Sequence, residues 1–135
     1  MNMESRDEKK KKNLKKLIRS FGFSIEGLKY AYTYKQNMFI HCIVTILIII
    51  FGFVLKINSI EWFFVFLFIG LVSAAELFNT AIEALTDLVS PEFHPLAKIV
   101  KDTASAAVMM LAFSAFCVGV IIYIPKLYDF IIGFI

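Results

Sequence analysis

Three uncharged apolar segments constrain what this chain can fold into. They cover residues 39–55, 62–75 and 103–124, and the second continues as a helical pattern to about residue 89. A helix needs about 20 mostly apolar residues to cross a bilayer, which each segment approaches or exceeds with its neighbours. Hydrophobic residues make up 59% of the 135 residues, against roughly 45–50% in soluble domains. The sequence therefore predicts an all-α membrane protein with three transmembrane helices per subunit.

One membrane domain accounts for most of the chain. Residues 1–12 are polar and charged, and we expect them to form a disordered basic tail. In the next segment apolar residues recur every three or four positions opposite a basic face, which predicts an amphipathic helix on the membrane surface. The expected bounds are 13–135 for the domain, 13–35 for the surface helix, and 38–55, 61–89 and 103–124 for the transmembrane helices.

The basic residues indicate a membrane partner and an orientation. Eight of the fourteen Lys and Arg residues lie within the first nineteen positions, without interleaved aromatic residues, so no nucleic acid is expected as a partner. Such a cluster suits the anionic face of a bilayer. The positive-inside rule then puts the N-terminus and the second loop in the cytoplasm and the C-terminus outside. The cations that decide this are Lys29, Lys35, Lys98 and Lys101 on one side, and Lys56 and Lys126 on the other.

A stripe of polar residues follows the second apolar segment. Glu76, Asn79, Glu83 and Asp87 are spaced by three, four and four positions, so on a helix they share a face about 80° wide. Carboxylates at membrane depth cost several kcal/mol unless they are paired, hydrated or bound to metal. A divalent cation would relieve their repulsion. Alternatively, the carboxylates pair with lysines or face water at the helix end, and Asp87 is the residue for which this is most expected. An ion or proton path through the membrane is a second, weaker alternative.

The loop after this helix adds further charged groups. Residues 92–102 contain two lysines, a histidine, a phenylalanine and two acids. The sequence contains no glycine-rich phosphate loop. A bound nucleotide would therefore depend on side chains and Mg²⁺. Small residues at 73–75 and 104–107 permit close helix approach, within one chain or between chains.

These residues carry a resemblance to a known family. The pattern E-x-x-N-x-A-I-E at 76–83, Asp87, and the stretch from His94 to Lys101-Asp102 resemble the signature of the prokaryotic diacylglycerol kinases. That family includes the undecaprenol kinases of Gram-positive bacteria. The resemblance extends over residues 14–124, and His-Pro-Leu-Ala-Lys at 94–98 is more similar to the undecaprenol branch.

The resemblance implies a function and an assembly. It implies a bacterial cytoplasmic membrane protein that forms a homotrimer, with active sites at subunit boundaries near the cytoplasmic face. It implies transfer of the γ-phosphoryl group of ATP to a membrane lipid alcohol, with Mg²⁺ as cofactor, as a step of lipid metabolism. We predict undecaprenol as the acceptor. Diacylglycerol is the first alternative, and a diverged, non-catalytic lipid-binding protein is the second.

The resemblance also implies roles for individual residues. Glu76 would be the general base, and Glu83 would hold the metal. The nucleotide would contact Lys16, Phe23, Lys35, Glu83, Glu92, Phe93, His94, Lys101 and Asp102, and the lipid substrate would contact Arg19, Asn79 and Ser105.

Two positions depart from the family pattern. The family usually has a glutamate just before the first transmembrane helix as a second metal ligand, and Lys35 stands there in this chain. A protonated lysine cannot ligate Mg²⁺, although it can contact phosphate as a point charge. Phe23 stands where the family often has a tyrosine.

Overall fold

A computed structural model describes the backbone of residues 3–34 and 36–133 and the side chains of residues 11–33 and 37–133. The described residues form four α-helices and no strand, and the last three helices are long and apolar enough to cross a membrane. This confirms the predicted fold class. The chain divides into two units, residues 1–35 and 36–135. The helices are α1 (Met3–Tyr34), α2 (Gln36–Val54), α3 (Ser59–Val89) and α4 (Pro95–Ile132).

The first unit consists of helix α1. It begins at Met3, within the segment that was expected to be a disordered tail. Lysine, arginine and glutamate are good helix formers, so a charged segment can extend a helix that begins further along the chain. Leu14, Ile18, Phe21 and Ile25 are all more than half exposed. This exposed apolar surface is compatible with the predicted location at a membrane interface.

In the second unit, α3 packs along α4, and α2 contacts α3 over a shorter length. The core at one end of this unit is apolar, and Leu55, Ile57, Val65 and Ile122 are its buried residues. The hydroxyl of Tyr123 donates a hydrogen bond to the carbonyl oxygen of Ile48, 2.9 Å away. This bond links α4 to α2, so all three helices are connected at this end.

The turn between α2 and α3 is closed by a capping box. The Asn58 side-chain oxygen accepts hydrogen bonds from the backbone N–H groups of Ile60 and Glu61, at 2.9 and 3.0 Å. The Glu61 carboxylate accepts one from the N–H of Asn58 at 2.6 Å. Lys126 of α4 approaches the same carboxylate at 3.7 Å. These bonds satisfy N–H groups at the start of α3 that have no partner within the helix.

Helix α4 is longer than the expected span of 103–124. It begins at Pro95 because His94 caps its N-terminus, and proline is well suited to the first helical position. It also continues past Pro125, where the sequence predicted its end. A proline removes one backbone hydrogen bond, and helices that cross membranes tolerate that loss. At about 1.5 Å per residue, α3 is about 46 Å long and α4 about 57 Å, so both exceed a hydrocarbon layer of about 30 Å.

The capping box leads to a prediction about stability. Asn58→Ala removes the acceptor for two N–H groups and should lower the free energy of unfolding by about 1 kcal/mol. Asn58→Asp keeps a capping oxygen and should retain most of the stability. Equilibrium unfolding in detergent micelles measures both variants. Equal stability of Asn58→Ala and the wild type would contradict this account of the turn.

Candidate functional site

The polar stripe predicted on the second membrane helix lies on α3. Glu76 is 3% exposed and Asn79 7% exposed, and both are therefore buried within the second unit. The side-chain amide of Asn79 donates a hydrogen bond to the Glu83 carboxylate at 3.0 Å. At about 1.5 Å per residue, Glu76 lies about 21 Å and Glu83 about 32 Å along the helix from Trp62. If Trp62 marks one membrane interface, Glu83 lies near the other and Glu76 lies inside the apolar layer.

The Asn79 side chain has one unsatisfied polar atom. Its oxygen Oδ1 is buried and has no hydrogen-bond partner within the described part of the chain. A buried acceptor without a partner costs about 1–3 kcal/mol. Such an atom, beside the Glu83 carboxylate, can accept a hydrogen bond from a ligand or coordinate a cation.

Glu76 contacts a histidine from the neighbouring helix. The Nε2 atom of His41, on α2, lies 3.1 Å from Oε1 of Glu76. His41 also lines a mostly apolar groove of about 460 Å³ formed by α2, α3 and α4. The sequence analysis did not include His41 among the site residues. Its only signal was that His41 and Cys42 are the sole ionisable residues of an apolar segment, which does not identify a partner 35 positions away.

Two exposed ion pairs lie near the start of α4, and one of them joins α4 to the end of α3. Lys101 donates a hydrogen bond to Asp87, and Lys98 donates one to Asp102 at 2.5 Å, one turn along α4. The contact of Asp87 with Lys101 agrees with the alternative interpretation in the sequence analysis, in which Asp87 pairs with a lysine and does not bind a metal ion. Exposed pairs contribute about 0–1 kcal/mol each. These lysines can therefore exchange their carboxylate partners for phosphate at little cost.

The loop between α3 and α4 presents its candidate residues to the surface. Glu92 is exposed, and Phe93 is 83% exposed. His94 caps α4, because its Nδ1 accepts a hydrogen bond from the N–H of Leu96 at 3.2 Å. Nδ1 is therefore the acceptor in this bond, and the other ring nitrogen, Nε2, can still donate a hydrogen bond. The structure thus gives His94 a local structural role in addition to its predicted role toward the nucleotide.

The remaining candidates lie on α1 and α4. Lys16, Arg19 and Phe23 are exposed and share one face of α1, with the Arg19 guanidinium 5.4 Å from the centre of the Phe23 ring. Ser105 is exposed on α4. Lys35 lies outside the described residues. The structure therefore brings Glu76, Asn79 and Glu83 together on α3 and Lys101 and Asp102 together on α4, and it describes the α1 residues as a separate group.

Comparison with known proteins identifies relatives over most of the chain. A family model described as prokaryotic diacylglycerol kinase matches residues 22–123. The undecaprenol kinase of Bacillus subtilis (strain 168) is 35% identical over 125 residues, which are 93% of this chain and 100% of that protein.

Two diacylglycerol kinases are similar at the same level of identity. The one from Synechocystis sp. is 36% identical over 112 residues, 82% of this chain and 64% of that protein. The one from Helicobacter pylori (strain J99) is 35% identical over 111 residues, 82% of this chain and 87% of that protein. These matches confirm the resemblance found in the sequence: the chain belongs to the prokaryotic diacylglycerol kinase family.

Proposed function

We propose that this protein transfers the γ-phosphoryl group of ATP to the hydroxyl group of a membrane lipid, and that the lipid is undecaprenol. The observation that carries the proposal is the position of Glu76, a buried carboxylate on a long apolar helix, two turns before Glu83. A membrane lipid can bring its hydroxyl group to a carboxylate at this depth without leaving the bilayer. Membership of the kinase family supports phosphoryl transfer as the reaction.

The reaction assigns one proton transfer to Glu76. As the lipid oxygen forms a bond to the γ-phosphorus, its O–H bond breaks and the proton passes to the Glu76 carboxylate. The bond between the γ-phosphorus and the bridging oxygen breaks, and ADP leaves with the electron pair. Phosphoryl transfer depends mainly on positioning and charge stabilisation. The base must therefore hold one oxygen toward the hydroxyl, and the surrounding apolar helices keep competing water away.

Mg²⁺ fits the donor atoms near Glu83. The described residues contain no cluster of three His, Cys, Asp or Glu side chains that could enclose a metal. Mg²⁺ does not need one, because it is often held by one or two carboxylates together with phosphate and water. The Glu83 carboxylate and the unsatisfied Oδ1 of Asn79 would hold it here. When bound, the ion would neutralise charge on the phosphates.

Several cations are available for the nucleotide phosphates. Lys101, near the start of α4, pairs with the exposed carboxylate of Asp87 on α3. Lys16 and Arg19 lie on one face of α1. The family resemblance implies that Lys35 also contacts the nucleotide. We propose that Lys101 contacts phosphate and that Glu92, Phe93, His94 and Asp102 border the rest of the nucleotide. Phe23 would pack beside it, and Arg19 and Ser105 would border the lipid.

Undecaprenol is favoured over diacylglycerol as the acceptor. The match to the undecaprenol kinase of Bacillus subtilis covers the whole of that protein and 93% of this chain. Residues 94–98 are also similar to the undecaprenol branch of the family. The diacylglycerol kinases have equal identity over shorter parts of the chain, so diacylglycerol is the second candidate.

We further propose a homotrimer in the bacterial cytoplasmic membrane, with the N-terminus in the cytoplasm and the C-terminus outside. Large apolar side chains remain exposed along α2, α3 and α4. Lipid or neighbouring subunits would cover them.

The first prediction tests the base. Glu76→Gln keeps the size of the side chain but cannot accept the hydroxyl proton, so kcat should fall about 100- to 10,000-fold. The assay follows transfer of labelled phosphate from ATP to undecaprenol and, separately, to diacylglycerol. If the wild-type protein phosphorylates neither lipid, the non-catalytic alternative is favoured. If it phosphorylates diacylglycerol faster than undecaprenol, diacylglycerol becomes the preferred acceptor.

The second prediction tests the metal ligand. Glu83→Gln should raise the Mg²⁺ concentration needed for half-maximal activity on the order of ten-fold, because a neutral amide binds the ion less strongly. Asp87→Asn removes one carboxylate from the next turn of α3 and serves as the matched control, with an unchanged Mg²⁺ requirement. The same requirement in both variants would exclude Glu83 as the ligand.

The third prediction tests the nucleotide contact. Lys101→Ala should lower kcat/KM for ATP about ten-fold or more, the effect of losing one hydrogen bond to a charged group. Lys98→Ala removes the same charge one turn earlier on α4 and should have a much smaller effect. Equal effects of the two substitutions would indicate a general influence of charge, and Lys101 would not be a specific phosphate ligand.

A further inference from the structure

The Glu76 carboxylate lies in surroundings that require a hydrogen-bond donor. It is almost fully buried, and the groove beside it is lined mainly by aliphatic and aromatic side chains of α2, α3 and α4. A carboxylate in such a place is strongly disfavoured unless a polar group pairs with it. Within the described residues, the hydrogen-bond partner of this carboxylate is His41.

The direction of this hydrogen bond follows from the chemistry of the two groups. An ionised carboxylate can only accept, so Nε2 of His41 must carry the proton and donate it. The bond engages Oε1 of Glu76 at 3.1 Å. The second carboxylate oxygen, Oε2, does not take part in this bond and can accept a proton.

We propose that His41 is a positioning residue for the general base: its Nε2–H group holds Oε1 of Glu76, so that Oε2 is directed toward the lipid hydroxyl. This inference rests on the proposed lipid kinase function and adds a residue to its machinery. His41 itself need not touch the substrate. Its ring comes from α2, and it therefore also fixes α2 against α3 at the depth where the proton is transferred.

The placement of His41 suits a positioning role better than a packing role. Its side chain is 30% exposed, whereas that of Glu76 is 4% exposed, so the ring is less enclosed than the carboxylate that it contacts. An apolar ring at this place could fill the same space but could not donate to Oε1. The role of the hydrogen bond can therefore be separated from the role of the ring.

Kinetics with two substitutions make that separation. His41→Phe keeps a ring and removes the donor, and because misplacement of a reacting group by about 1 Å can cost on the order of 100-fold, kcat should fall about 10- to 100-fold. KM for ATP and for the lipid should change by no more than about two-fold, since ground-state binding is not altered. His41→Gln carries an N–H donor at a similar reach and should recover most of the lost kcat.

A matched control lies one turn further along the same helix. Thr45 lines the same groove as His41, and Thr45→Val should leave kcat near the wild-type value. Full activity of His41→Phe would overturn the proposal, and so would a His41→Gln variant as slow as His41→Phe. A wild-type protein that phosphorylates no lipid would overturn the proposed function itself, which distinguishes the two failures.

A spectroscopic measurement tests the contact without turnover. The chain has two histidines, so the ¹⁵N signals of the His41 ring can be assigned in micelles by comparison with a His94→Gln variant. Glu76→Gln should shift the Nε2 signal of His41, because a charged acceptor is replaced by a neutral one. Thr45→Val should leave that signal in place. A His41 signal that does not respond to Glu76→Gln would overturn the proposal.

Discussion

The structure of the second unit depends on one constraint: a carboxylate buried among apolar helices must have a polar partner. Glu76 meets this constraint through His41, which requires α2 to lie against α3 at that depth. On α3 itself, the amide of Asn79 donates to Glu83 instead. One hydrogen bond thus gives the buried carboxylate a polar partner and holds the two helices close together.

The two ends of the helical unit are built differently. At one end, buried apolar residues, the Asn58 capping box and the Tyr123–Ile48 hydrogen bond connect all three helices. At the other end, an exposed ion pair between Asp87 and Lys101 joins α3 to α4. Apolar packing is lost if the helices separate, whereas exposed ion pairs can exchange partners at little cost. If the nucleotide binds at the second end, as the proposed function requires, the packing at the first end would not be disturbed.

The sequence predicted the helices because length and periodicity are local properties. The three apolar segments, the turn at Asn58 and the stripe from Glu76 to Glu83 could all be found in this way, including the four-residue spacing that allows Asn79 to contact Glu83. The start of α4 was missed because His94 was considered as a ligand and not as a cap. The contact of His41 with Glu76 was missed because a separation of 35 residues leaves no periodic signal.

The departure at residue 35 limits how a metal ion could be held. The family pattern has a carboxylate there, and this chain has a lysine, so the charge at that position is reversed. Beside Glu83, the Oδ1 atom of Asn79 has no hydrogen-bond partner within the described residues, and this neutral oxygen binds a cation less strongly than a carboxylate would. A lysine repels a free cation but attracts the triphosphate. If Lys35 has the role that the family resemblance implies, the proposed kinase would take up the ion together with the nucleotide, and its affinity for magnesium would depend on bound ATP more than in a site with two glutamates.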